Sequence, residues 1–200
     1  MEQALKKGIG CLCLLCLSVL MLGGCGTWYS GLRGPVRGVS EEYATALKTH
    51  TRKGWRTQGL DRVVSVTATV QTSDLLEVMA LEQSRLSLSA PEQAGRKLAG
   101  QLAGEGTSVV LFIEALEQGW ERLDRGEPVW RILLEVEGAR YEPSRVTALD
   151  ARSPTVRHLY PYMNRFGRAW LLVFDVDEVG DRPVLWMMGA PAQLRLEFAL

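Results

Sequence analysis

The side chains in this 200-residue chain that could do chemistry are two histidines, four cysteines, a set of carboxylates and one aromatic-basic run. Asp175-Val176-Asp177-Glu178-Val179-Gly180-Asp181 concentrates carboxylates as a calcium loop does. Its spacing fails as an EF-hand. With Asp175 in first place, Val179 fills the fifth position and Trp186 stands where the bidentate Glu belongs. The run reads instead as a strand end followed by an acidic hairpin loop. Cys11, Cys13 and Cys16 form C-x-C-x-x-C, but they lie in an apolar segment, and a metal site needs folded, deprotonated thiolates. His50 lies among Lys48, Arg52 and Lys53 and reads as a solvated helix position. His158 stands before Leu159 and reads as structural, in a loop or at the start of a strand. No G-x-S-x-G, S-x-x-K, H-E-x-x-H or Walker A sequence occurs. No metal, cofactor or catalytic residue is therefore expected. Acid–base catalysis would need carboxylates facing each other across a groove, for instance among Glu114, Glu135, Asp175 and Asp177. Those positions suit surface strands equally well.

The run Tyr160-Pro161-Tyr162-Met163-Asn164-Arg165-Phe166 combines aromatics, Met and Arg, the types enriched at interface cores. Pro161 would stiffen it and lower the ordering cost of binding. Tyr160, Tyr162 and Arg165 are the candidate partner contacts. In the competing reading Tyr160 and Phe166 cap a sandwich core. Trp120, between Gly119 and Glu121, is a second candidate anchor.

Ahead of these residues stands a leader. Lys6 and Lys7 precede an apolar run from Ile9 to Leu22, shorter than the roughly 20 residues of a membrane span. Leu22-Gly23-Gly24-Cys25 follows and resembles the lipobox of bacterial lipoproteins. That resemblance implies removal of residues 1–24 and lipidation of Cys25 by a diacylglycerol thioether and an acyl group such as palmitate. An ordinary secretory signal and an uncleaved anchor are the rivals. Gly26 rather than Asp, by the same resemblance, favours the outer membrane facing the periplasm over the inner membrane or the cell surface. The mature chain would keep 176 residues and only Cys25, so no intramolecular disulfide. Its charge is nearly balanced, 21 basic against 22 acidic residues, which leaves no electrostatic footprint for nucleic acid.

Residues 25–39 read as a lipidated tether, rich in Gly with Pro35, in which Arg33 and Arg37 are solvated. Residues 40–200 read as one globular domain. Ser40 predicts a helix N-cap with Tyr43 and Leu47 on one face and Gly54 as the stop. Val64, Val66, Ala68 and Val70 alternate with polar residues as a half-buried strand does. Asp74 with Glu77, and Ser89 with Glu92, predict capping boxes of a helical pair over 74–103. Val109–Ile113 suits a central strand. Further strands are expected around Trp130–Val136, Trp170–Val176, Val184–Met188 and Leu194–Leu200, with Gly189–Ala192 as a turn.

The segments Gly138-Ala139-Arg140-Tyr141-Glu142-Pro143-Ser144, Gly167–Val176 and Ala192–Phe198 resemble the back half of immunoglobulin-like domains on uncharacterised bacterial lipoproteins. The expected fold is mostly β with a helical insert (α+β). It comprises an antiparallel immunoglobulin-like sandwich, an N-terminal helix and the helical pair near 74–103. The resemblance implies a non-catalytic, membrane-anchored binding or assembly module for an envelope protein partner. An assembly lipoprotein of a secretion or efflux machine, and an envelope hydrolase acting on peptidoglycan or lipid, are the alternatives.

Overall fold

The computed structural model describes residues 38–87, 93, 106–124 and 129–200. Leu22, Gly23, Gly24 and Cys25, the other cysteines, residues 26–37 of the tether and the second expected helix with Ser89 and Glu92 lie outside them. The chain divides into Met1–Arg37 and Gly38–Leu200, and the second unit is described here.

Helix α1 spans Glu41–His50. Ser40 caps it as predicted: its Oγ accepts the Tyr43 amide at 3.3 Å, and Glu41 and Glu42 lie in the first turn. The helix ends at His50 rather than Gly54. Thr51 already pairs with Thr69, and their hydroxyls bond at 2.7 Å. Strand β1, Thr51–Gln58, therefore starts where the helix stops. Arg52 still serves the helix C-terminus from this strand, donating through Nη1 to the carbonyls of Thr49 and Thr51, both at 2.8 Å. Gly54 has a packing role instead of a capping one. A Cβ there would lie 2.8 Å from Leu196 Cδ2.

Strand β2 covers Asp61–Gln71 and is followed by α2, Ser73–Ser87. The α2 cap is Thr72, whose Oγ1 accepts the Leu75 amide at 3.3 Å, two residues before the expected Asp74. The remaining elements are β3 Thr107–Ala115, β4 Trp130–Val136, β5 Ala139–Tyr141, β6 Arg145–Leu149, α3 Pro154–Leu159, β7 Arg168–Phe174, β8 Val184–Gly189 and β9 Gln193–Glu197. His158 thus lies in a short helix, which Ser153 and Pro154 begin.

Among the described residues the strands form two antiparallel sheets. One has the order β1-β2-β3-β7-β6 and the other β5-β4-β8-β9. The continuous apolar run of β3 does occupy the centre of its sheet. Val64, Val66, Leu111, Ile113, Trp170 and Leu172 pack toward Ile132, Leu134, Leu185 and Leu196 of the other sheet. A second core covers the opposite face of the five-stranded sheet. There Val110, Phe112, Ala169 and Leu171 meet Tyr43, Leu47, Leu75, Met79 and Leu159 from the three helices. Strand β2 is therefore buried on both faces, including Ser65, Thr67, Thr69 and Gln71, and is not half-buried as its alternation predicted. Among the described residues no helix is long and apolar enough to cross a membrane.

The two faces can be tested separately on β7. Leu172→Ala opens the inter-sheet core and Leu171→Ala the helix-side core. Each is expected to cost about 2–4 kcal/mol in urea unfolding. A Leu171→Ala cost below about 0.5 kcal/mol, the range of ordinary surface changes, would mean that the helical layer is only a loose cover.

Candidate functional site

The densest group of chemistry-bearing residues is buried between the helices. Glu82, on α2, is 3% exposed. One carboxylate oxygen accepts the Ser40 hydroxyl at 2.7 Å, and the other accepts His158 Nε2 at 2.7 Å. The Ser40 amide also points at both oxygens, and Arg85 lies 3.7 Å away. Burial pushes the Glu82 carboxyl up, but the hydrogen bonds from Ser40 and His158 outweigh it and hold the group below the usual carboxylate range. Serine, histidine and glutamate are the types of a catalytic triad, but here the acid stands between the other two. Ser40 spends its proton on the carboxylate, with no bond to the imidazole that would activate it. The arrangement ties α1, α2 and α3 together. His158 is thus structural, as expected, through a partner that the sequence did not single out.

His50 departs from expectation. It is buried, donates from Nδ1 to the Ala46 carbonyl at 2.8 Å, and bonds the Thr72 hydroxyl through Nε2 at 2.8 Å. It locks the end of α1 to the cap of α2.

The segment 160–167 runs along the polar face of β2 and β3. Gln71 Nε2 donates to the Tyr160 hydroxyl at 2.5 Å, Tyr162 shares a 2.8 Å hydrogen bond with Thr69, and Asn164 Nδ2 donates to Glu114 at 2.7 Å. Tyr43 donates its hydroxyl to the Leu159 carbonyl. Burial pushes the phenols of Tyr43, Tyr160 and Tyr162 up, so they remain protonated. Of the candidate contacts, Tyr160 is buried, Tyr162 is half-buried with its hydroxyl engaged, and Arg165 is exposed. Tyr160 is a core residue, but of the helix-side core and not of the sandwich core that the competing reading had it cap. Phe166 does not cap a core. It is exposed, with Arg165 stacked 4.9 Å from its ring centroid.

Arg165 and Phe166 line an open groove of about 410 Å³ with Glu121, Asp150, Arg152 and Arg168. Arg168 pairs with Glu121 at 3.4 Å, while Asp150 accepts the Arg152 amide. Gly167 holds the groove wall against β3. A Cβ there would stand 2.6 Å from the Ile113 carbonyl and 2.5 Å from the Phe112 ring. Trp120 is half-buried, and its carbonyl accepts the Trp130 indole.

The four candidate acid–base carboxylates do not share a cleft. Glu114 lies at the C-terminal end of β3, and Asp175 follows the end of β7 that pairs with the start of β3. Glu135 faces out from the other sheet, bonded to Arg140 and to the Trp186 indole. Asp175 accepts the Ser144 hydroxyl at 2.7 Å, and Asp177 follows it in the turn. Trp186 sits between two guanidiniums, Arg140 at 5.5 Å and Arg195 at 5.3 Å from its ring centroid. The sequence analysis did not single out this stack. Its signal was a tryptophan at an outward position of β8, between the inward-facing Leu185 and Met187.

No protein-family model, curated protein or solved structure matches the chain.

Glu82→Ala is expected to destabilise the domain by roughly 2–3 kcal/mol at pH 7, measured by urea unfolding. The folded carboxyl titrates below its unfolded value, so its contribution is complete above the unfolded pKa and fades as pH falls through the folded one. The gap between wild type and Glu82→Gln should shrink on acidification. A constant gap down to about pH 3 would contradict the ionised tie.

Proposed function

We propose that this protein is a lipid-anchored envelope lipoprotein whose immunoglobulin-like domain acts as a non-catalytic binding module. The observation that carries the reading is Leu22-Gly23-Gly24-Cys25, directly behind a lysine-flanked apolar run. Several acyl chains on one residue would hold the protein on a bilayer far more firmly than a single chain can. Gly26 supports the outer membrane, periplasmic side. The immunoglobulin-like assignment is supported by strand order. With β2, β3, β7 and β6 read as A, B, E and D, the first sheet follows the A-B-E-D pattern. With β5, β4, β8 and β9 read as C′, C, F and G, the second follows C′-C-F-G. Strand β1 and the helices are additions.

The protein-facing surface is the outside of the four-stranded sheet. Trp186 and Arg195 lie side by side in register there next to the buried Leu133, and Arg131, Met188 and Gln193 form a second such row. Tryptophan, arginine and methionine are the types that carry interface energy, and Trp186 already has its indole oriented by Glu135. On this reading the buried Tyr160 and the half-buried Tyr162 act as scaffold.

Metabolic labelling with an alkyne fatty acid tests the anchor. Wild type is expected to incorporate label and fractionate with membranes, and Cys25→Ser to do neither. Label on Cys25→Ser, or an unlabelled wild type, would contradict the reading. Crosslinked pull-down from solubilised envelopes tests the module, with Trp186→Ala expected to lose the partner that wild type recovers. Equal recovery would move the contact off this sheet.

A further inference from the structure

Among the described residues the two sheets have four edge strands, and three carry features that deter pairing with another chain. Strand β1 holds Arg52, Lys53 and Arg56, and its register shifts between Arg56 and Thr57. Strand β5 is three residues long and runs into Pro143, which has no N–H to give. Strand β9 alternates Gln193, Arg195 and Glu197 with buried leucines. Strand β6 is the exception. After Arg145 it reads Val146-Thr147-Ala148-Leu149, with no charge, no proline and no break in register. Among the described residues it pairs with β7 alone.

One bond fixes which of its backbone groups face outward. The Val173 carbonyl accepts the Ser144 amide at 2.8 Å, so Val173 turns its backbone toward β6. Alternate residues of an antiparallel ladder turn to the same side, so Leu171 and Ala169 do likewise. The register pairs Val173, Leu171 and Ala169 with Arg145, Thr147 and Leu149. Val146 and Ala148 therefore turn their N–H and C=O groups to the open side.

The side chains of the same two residues lie on the inter-sheet face, opposite Leu172 and Trp170. There the inter-sheet core comes to the surface. Val146, 40% exposed, lines a groove of about 430 Å³ with Leu123, Trp130, Ile132 and Pro143. The two charged residues of its lining, Arg131 and Glu142, bond each other at 2.8 Å. The groove thus offers apolar walls and asks no charge of an occupant.

A row of outward backbone groups beside an apolar groove is the geometry of strand addition. We infer that β6 takes up an extended segment of a partner protein as a further strand of the five-stranded sheet. The backbone of that segment pairs with Val146 and Ala148, and large apolar side chains at its alternate positions enter the groove. A lipid chain would fill the groove but leave the backbone groups unpaired. The β6 strand of a second copy would pair with them but bring only valine and alanine to the groove, leaving most of its volume empty. This goes beyond the binding-module reading, because the edge requires neither Trp186 nor a lipid on Cys25.

The test pans a displayed library of random dodecapeptides on the unlipidated chain, residues 25–200 carrying Cys25→Ser. Enriched peptides are expected to alternate large apolar with polar residues. The leading peptide, made synthetically, should slow hydrogen exchange at the amides of Val146 and Ala148. Ala148→Pro removes one outward N–H where an edge strand tolerates proline, and Val146→Lys brings a charge to the groove. Each should weaken binding of that peptide by about tenfold or more, with thermal melting verifying that the variant folds. Absence of alternating peptides, unchanged exchange at the two amides, or equal affinity for folded Ala148→Pro would each overturn the proposal. So would a dimer of the unlipidated chain that Ala148→Pro abolishes, since it would assign the edge to a second copy. If Ala148→Pro fails to fold, Val146→Lys and the exchange at the two amides decide.

Discussion

Burial of the five-stranded sheet on both faces is the constraint from which the rest of the domain follows. Strand β3 has Val109, Leu111 and Ile113 on one side and Val110 and Phe112 on the other, all buried. A strand of that composition is stable only when a second sheet covers one face and another layer the other. The four-stranded sheet supplies one cover. Three helices and the 160–167 segment supply the other.

The second cover has to meet polar as well as apolar groups, because β2 presents Ser65, Thr67, Thr69 and Gln71 to it. Buried polar groups need partners. The tyrosines provide two of them, with the hydroxyls of Tyr160 and Tyr162 reaching Gln71 Nε2 and Thr69, while Ser65 Oγ and Gln71 Oε1 stay without a partner among the described residues. Those bonds set the course of the segment, which emerges with Arg165 and Phe166 exposed. The Glu82 tie and the His50–Thr72 contact fix the helices in the same layer. Buried polar chemistry in this domain therefore positions its surface, and the groups left exposed are arginines beside aromatic rings.

Elements with a pronounced local pattern were legible in the sequence. The Ser40 cap, the Tyr43–Leu47 face, the central β3 and the alternation of β4, β7 and β9 follow from hydrophobic period and capping chemistry. What depended on distant partners was not legible. Gly54 looks like a helix stop because its role, making room for Leu196, comes from a residue far along the chain. His50 looks solvated among cations because its partner Thr72 lies across a hairpin. The alternating β2 reads as half-wet because nothing local announces that tyrosines will cover its hydroxyls. Glu82 drew no notice, since a lone glutamate in a polar helix is ordinary until Ser40 and His158 converge on it. In the Tyr160–Phe166 run the composition marked the segment, but only the fold could sort its buried residues from its exposed ones.

Native-state hydrogen exchange on the unlipidated chain tests the double-sided core most directly. Amides of Val109–Ile113 and of the α2 residues around Met79 should exchange only through global unfolding, with the same free energy, while the tip around Gly59 and Leu60 exchanges freely. Exchange of α2 at several kcal/mol below the β3 value would contradict the account, since it would show the helical layer opening while the sheet beneath it stays folded.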